Sequence, residues 1–163
     1  MMFSRKLDQL LETECLMKRI RAMGASLVLG LLLNSVVFAD GEAEYDYRHG
    51  VMEAIGGHMT AMVTILRKGV HQDELALHAS GIAALADISP DIFPGGSDVE
   101  KSEALPAVWK NPAEFNAAMT KFVETAKLME QAALTGDMAQ IGPAIQGLGG
   151  ACKGCHDDFR EEH

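Results

Sequence analysis

Apolar residues in the first half of the chain recur in steps of three and four. Tyr47, Val51, Ile55, Met59, Met62, Ile65 and Leu66 follow one another this way between about Glu44 and Lys68. That spacing keeps side chains on one face of an α-helix and predicts a long first helix. Basic residues in its last turn and Gly69 after them form a stop. Gly56 and Gly57 interrupt the run, each costing about 1 kcal/mol relative to alanine. They mark either a neutral weakness or the close approach of a backbone or ligand. Leu75, Leu77, Ile82, Ala83 and Leu85 predict a second helix from about Gln72 to Ala86. Pro90, Pro94, Gly95, Gly96 and Pro106 then break the pattern over residues 87 to 111, which read as a long irregular crossover. Connections of that length carry function or pack a hydrophobic anchor. Ile92, Phe93, Leu105, Val108 and Trp109 are the candidate anchors, and Trp109 is read as a packing residue.

Asn111-Pro112 predicts a third helix, with Asn as N-cap and Pro in the first position. Phe115, Met119, Phe122, Ala126 and Met129 keep the helical step to about Thr135. Gly136 closes it, and Asp137 caps a fourth helix that runs to about Arg160. Pro143 is expected to kink the early part of that helix, or to start it afresh. Gly147, Gly149, Gly150 and Gly154 leave one stretch of it nearly bare. A flat group lying on that face would explain them, and so would tight helix packing. Four amphipathic helices with one long crossover predict an all-α fold, an antiparallel four-helix bundle.

Composition agrees with helix. Ten methionines and few aromatics (6%) favour it over sheet. The N-terminus reads differently from the rest. Lys18, Arg19 and Arg21 precede an apolar run from Ala22 to Val37, and Val37-Phe38-Ala39 offers a cleavage site before Asp40. This predicts a signal peptide cleaved near Ala39, with Met17 as a natural start and residues 1 to 16 as an upstream extension. The alternative is an uncleaved anchor, for which the run is near the lower length limit. Residues 1 to 39 are therefore set apart from a single domain at 40–163. Losing their five basic and three acidic residues takes the net charge from −9 to −11. Such an acidic domain excludes nucleic acid as a natural partner. It suits either plain solubility or a redox partner with a basic docking patch.

The chemistry concentrates at Cys152-Lys153-Gly154-Cys155-His156. Two cysteines three apart with histidine directly after form a covalent haem c attachment site. On a helix both thiols share a face and reach the two vinyl groups of one porphyrin, and His156 is placed to ligate the iron. Thiol-redox chemistry and zinc binding are the alternatives. Zinc would want two further ligands, and the one other cysteine, Cys15, falls in the segment expected to be removed. Export also suits haem attachment by this motif.

Together these features resemble the class II c-type cytochromes, the cytochrome c′ family, over residues 44 to 161. Cys152-Lys153-Gly154-Cys155-His156-Asp157-Asp158-Phe159-Arg160 is similar to the family's C-terminal signature. Tyr47-Arg48-His49-Gly50-Val51-Met52 is similar to its opening on the first helix, and the crossover ending near Trp109 is similar too. The resemblance implies thioether bonds at Cys152 and Cys155 and proximal ligation by His156. It implies a place for Arg48 near a haem propionate, and for Arg160 beside the proximal face. Arg160 also reads simply as complementing the helix dipole.

Met52 falls where the family divides. An apolar residue there leaves five-coordinate, high-spin iron in proteins implicated in gas binding. A ligating methionine gives a low-spin His/Met pair. Met52 points to the second branch, although methionine also fills cores well. Met59, Met62 and His58 are the weaker alternatives. The resulting expectation is a periplasmic electron carrier with His/Met ligation that changes no substrate bond. The alternative is a high-spin protein binding nitric oxide or carbon monoxide. A peroxidase-like enzyme would need a distal acid–base pair, and the spacing of Arg48, His49, Glu53 and His58 points none at the iron. The resemblance also admits a homodimer through the first two helices.

Overall fold

The computed structural model describes residues 40–162. The segment expected to be a signal peptide and Cys15 lie outside them. Five α-helices are present among the described residues: α1 (Gly41–Lys68), α2 (Leu75–Ile88), α3 (Ala107–Lys110), α4 (Pro112–Thr135) and α5 (Met138–Phe159). Short 3₁₀ turns at Gln72–Glu74 and Ser89–Asp91 flank α2. No helix among the described residues is long and apolar enough to cross a membrane.

α1 begins three residues earlier than its apolar pattern suggests. The Asp40 side chain accepts a hydrogen bond from the Glu42 N–H at 3.1 Å, and Glu42 and Glu44 place negative charge in the first turn. It ends at Gly69, whose left-handed backbone sends its N–H back to the Ile65 carbonyl. α4 starts at Pro112 as predicted, but Asn111 gives no side-chain cap. Its backbone carbonyl accepts the Phe115 N–H instead. Gly136, at φ 68°, turns the chain between α4 and α5, and Asp137 caps α5 through the Ala139 N–H at 2.9 Å. The helix continues through Pro143 as one element. A Cβ at Gly56 or Gly57 would meet only open space. No other backbone approaches them closely.

Packing runs from α1 to α2, from α2 to α4 and from α4 to α5. Met62, Ile82, Met129, Ile141 and Leu148 are the largest wholly buried apolar side chains of this core. Tyr47 (55% exposed) and Leu77 (60%) belong to the apolar periodicity yet stay outside it.

The crossover works as a strap across one end of the bundle. Phe93 packs edge-on against Phe115 (4.9 Å), which packs edge-on against Phe159 (5.3 Å). Trp109 donates its indole N–H to the Phe93 and Pro94 carbonyls, both at 3.2 Å. Ile92 and Val108 are buried, so the predicted anchors hold. The Leu105 N–H bonds the Phe159 carbonyl and the Glu161 N–H bonds the Glu103 carbonyl, tying the strap to the end of α5. The start of α1 meets the same strap through Arg48. The N-terminal part of α1 and the C-terminus of α5 thus share one end, and the two helices run antiparallel.

Candidate haem-binding site

Cys152, Cys155 and His156 lie on unbroken helix in α5, so the i, i+3, i+4 relation assumed from sequence is realised. Both cysteines are half-buried free thiols that pack against the core. Burial raises both thiol pKa values, that of Cys155 to about 11 with help from neighbouring Cys152 and Asp158. A dithiol oxidoreductase needs a stabilised thiolate, and this pair is the opposite. His156 is exposed. Crowding on its flank, then the positive charge of Arg160, lowers its pKa, which favours the neutral imidazole that a metal requires.

The groove beside these residues lies between α1 and α5. This seam lacks the continuous backbone packing of the other three. A Cβ at Gly150 or Gly154 would have nothing within 4 Å. Tight helix packing therefore does not explain those two glycines, whose face is open. Met59 reaches across the seam: its Cε would stand 3.6 Å from a Cβ at Gly149. This contact sets the register of the antiparallel pair. Seven residues toward the start of α1 is Met52, and seven toward the end of α5 is His156. Each step covers about 10 Å of helix, so Met52 stands level with the haem motif. Met52 is half-buried against the core. Met62 is wholly buried, and Met59 is used against Gly149.

Two predicted residues have partners that the sequence did not reveal. Arg48 is buried, and its guanidinium grips the strap. Nη1 donates to the Ile92 carbonyl (3.2 Å) and Ser97 Oγ (2.8 Å), and Nη2 to the Ser97 carbonyl (2.8 Å) and Ser102 Oγ (3.2 Å). Phe93 faces it at 5.0 Å. Burial lowers its pKa, with Tyr45 and Glu44 opposing. Four of its five N–H donors are thus engaged away from the groove, leaving only Nε–H for a propionate. Arg160 sits just past α5 in extended conformation and donates Nε–H to Glu103 Oε2 at 2.8 Å. Its charge stands near enough to His156 to help lower that imidazole's pKa.

A helical bundle whose last helix carries a Cys-x-x-Cys-His run on one face is the architecture of a haem c protein. The comparisons narrow the class. The Cytochrome C′ family profile matches residues 43–160. Cytochrome c′ of Pararhodospirillum photometricum is 42% identical over 125 residues, covering 76% of this chain and all of that protein. Cytochrome c′ of Rhodospirillum rubrum is 36% identical over 126 residues, covering 76% and 86%. The crystal structure of cytochrome c′ from Rubrivivax gelatinosus superposes with a TM-score of 0.71 at 32% identity, covering 76% of this chain and 99% of that one. The chain belongs to the cytochrome c′ family, and the family's cofactor is covalently bound haem c.

Proposed function

We propose that this protein binds a small uncharged diatomic gas, nitric oxide or carbon monoxide, at a haem iron whose distal face is covered by Met52. Cys152 and Cys155 hold the haem, and His156 is the proximal ligand. The haem supplies an iron that takes such a gas when ferrous.

The observation that carries this reading is where the polar groups of α1 are spent. Arg48 is committed to the strap, His49 pairs with exposed Glu53, and His58 meets His78. What remains level with the motif is a single flexible thioether. A distal face of that kind suits an apolar diatomic molecule. Peroxide chemistry needs a distal acid–base pair, so we read the protein as a binder and not an enzyme. Cytochrome c′ variants from Alcaligenes xylosoxidans, alike in fold, have been solved with nitric oxide and with carbon monoxide bound.

Met52 also favours a second reading, a closed His/Met one-electron carrier. Sulfur ligation would favour ferrous iron, and the acidic surface would dock a basic redox partner. Export to the periplasm serves both readings. So does a homodimer, for which exposed Tyr47 and Leu77 on α1 and α2 offer apolar contacts.

The deciding experiment is an absorption spectrum of the haem-loaded mature protein, ferric and ferrous, with and without carbon monoxide. The gas-binding reading expects the ferrous spectrum to shift with the gas. It also expects Met52→Ala to tighten binding about tenfold or more, by removing the competing closed state. A ferrous spectrum indifferent to saturating gas, with a ferric sulfur-to-iron band, would overturn it in favour of the carrier.

A further inference from the structure

One contact between α1 and α2 is unused by the haem site. His58 Nδ1 and His78 Nδ1 stand 3.0 Å apart, with ring centroids 5.2 Å apart and planes tilted by 60°. Both rings are half-buried. Their approach depends on Gly81, one turn after His78 on α2. A Cβ there would fall 2.7 Å from His58 Cε1 and Nε2, inside any tolerable contact. The glycine thus makes room for the His58 ring and fixes its orientation toward its partner.

We propose that His58 and His78 form a bidentate binding site for a divalent transition-metal ion, copper(II) above all. Imidazole nitrogen suits copper, nickel and zinc. At metal–nitrogen distances of about 2.0–2.1 Å, two donors 3.0 Å apart subtend about 95° at the ion. That is the cis angle of a tetragonal copper(II) or nickel(II) site. A tetrahedral zinc site wants donors about 3.3 Å apart. Affinity order reinforces the geometry, since copper(II) outranks its neighbours with nitrogen donors. No third histidine, cysteine or carboxylate completes a cluster among the described residues, so water fills the remaining positions.

Without metal, one imidazole donates its Nδ1 proton to the other. The 5.2 Å centroid separation has the two Nδ1 atoms facing each other nearly head-on, as a hydrogen bond requires; with metal, both rings turn so that their Nδ1 lone pairs converge on the ion, and both carry their proton on Nε2. An ion held there ties α1 to α2 six residues from Met52. The site stands apart from the haem crevice and does not depend on the gas-binding reading.

The test titrates copper(II) into the ferric, haem-loaded protein, so that the haem does not reduce the ion. One equivalent should bind with a dissociation constant in the micromolar range. At about a hundred times that concentration the Tm should rise by roughly 5–10 °C. Nickel(II) should bind more weakly and zinc(II) should not exceed copper(II). His78→Gln, checked for an unaltered haem spectrum, should abolish both binding and Tm shift. Electron paramagnetic resonance of the wild-type protein, unlabelled and ¹⁵N-histidine labelled, should show two equatorial imidazole nitrogens. Failure to bind copper(II) tighter than about 100 μM would overturn the site, as would retention of the equivalent in His78→Gln or a spectrum with one imidazole.

Discussion

Ser97→Ala tests the grip of Arg48 on the strap. Ser97 is wholly buried, and its hydroxyl is used twice: it accepts from Arg48 Nη1 at 2.8 Å and donates to the Pro94 carbonyl at 2.8 Å. The substitution removes one oxygen and changes little else in shape. A hydrogen bond to a charged donor is worth about 1.5–3 kcal/mol and a neutral one about 0.5–1.5 kcal/mol. Nη1 keeps the Ile92 carbonyl at 3.2 Å, and the Ser97 carbonyl still accepts from Nη2. The loss should therefore fall near the lower end, about 2 kcal/mol. Urea unfolding of the ferric holoprotein reads it directly. With a slope of about 1–3 kcal/mol/M, the midpoint should drop by about 1 M at constant slope. Ser102→Ala, at a longer 3.2 Å contact, should cost about half as much. A loss below about 0.5 kcal/mol for Ser97→Ala would refute the clamp. Arg48 would then be turned toward a haem propionate in the loaded protein, as the family resemblance implies.

Phe115→Ala removes the middle ring of the Phe93–Phe115–Phe159 stack and should cost about 3–5 kcal/mol, read by the same unfolding curve; a cost under 1 kcal/mol would mean the end of the bundle collapses around the gap. Asp137 caps α5 with a pKa lowered by its bonds to the Gln140 amide and the Ala139 N–H. A lowered folded-state pKa gives stability present above the unfolded value and lost as pH falls through the folded one. Wild type should therefore exceed Asp137→Asn in Tm at pH 7, and the gap should shrink steadily below about pH 4; a pH-independent gap would contradict this.

The helices were legible because burial imposes a period. Val51, Ile55, Met62 and Ile65 on α1, and Phe115, Met119, Phe122, Ala126 and Met129 on α4, are buried as their spacing predicts. Periodicity overreached at Tyr47 and Leu77, because a helix on the rim of a bundle carries an apolar stripe wider than its buried seam. The haem motif was legible because its three residues lie within one helical turn and a half. The partners of Arg48 were not, since Ser97 lies 49 residues away and a serine in a loop announces nothing. The His58–His78 contact spans 20 residues and two helices. Each histidine alone reads as a solvated polar position, and only the packing of α1 on α2 brings them together. The level of Met52 likewise became visible only through the contact of Met59 with Gly149.

The strap also has a consequence for the order of assembly. Its bonds to Phe159, Arg160 and Glu161 join residues more than fifty positions apart, and those partners are synthesised well after the strap itself. α1, α2 and α4 have all their mutual partners before α5 arrives. The knot between residues 103–105 and 159–161 can be tied only once the segment holding Cys152 and Cys155 has been made. A stop a few residues short of Phe159 would leave the strap without its partners at that end of the bundle.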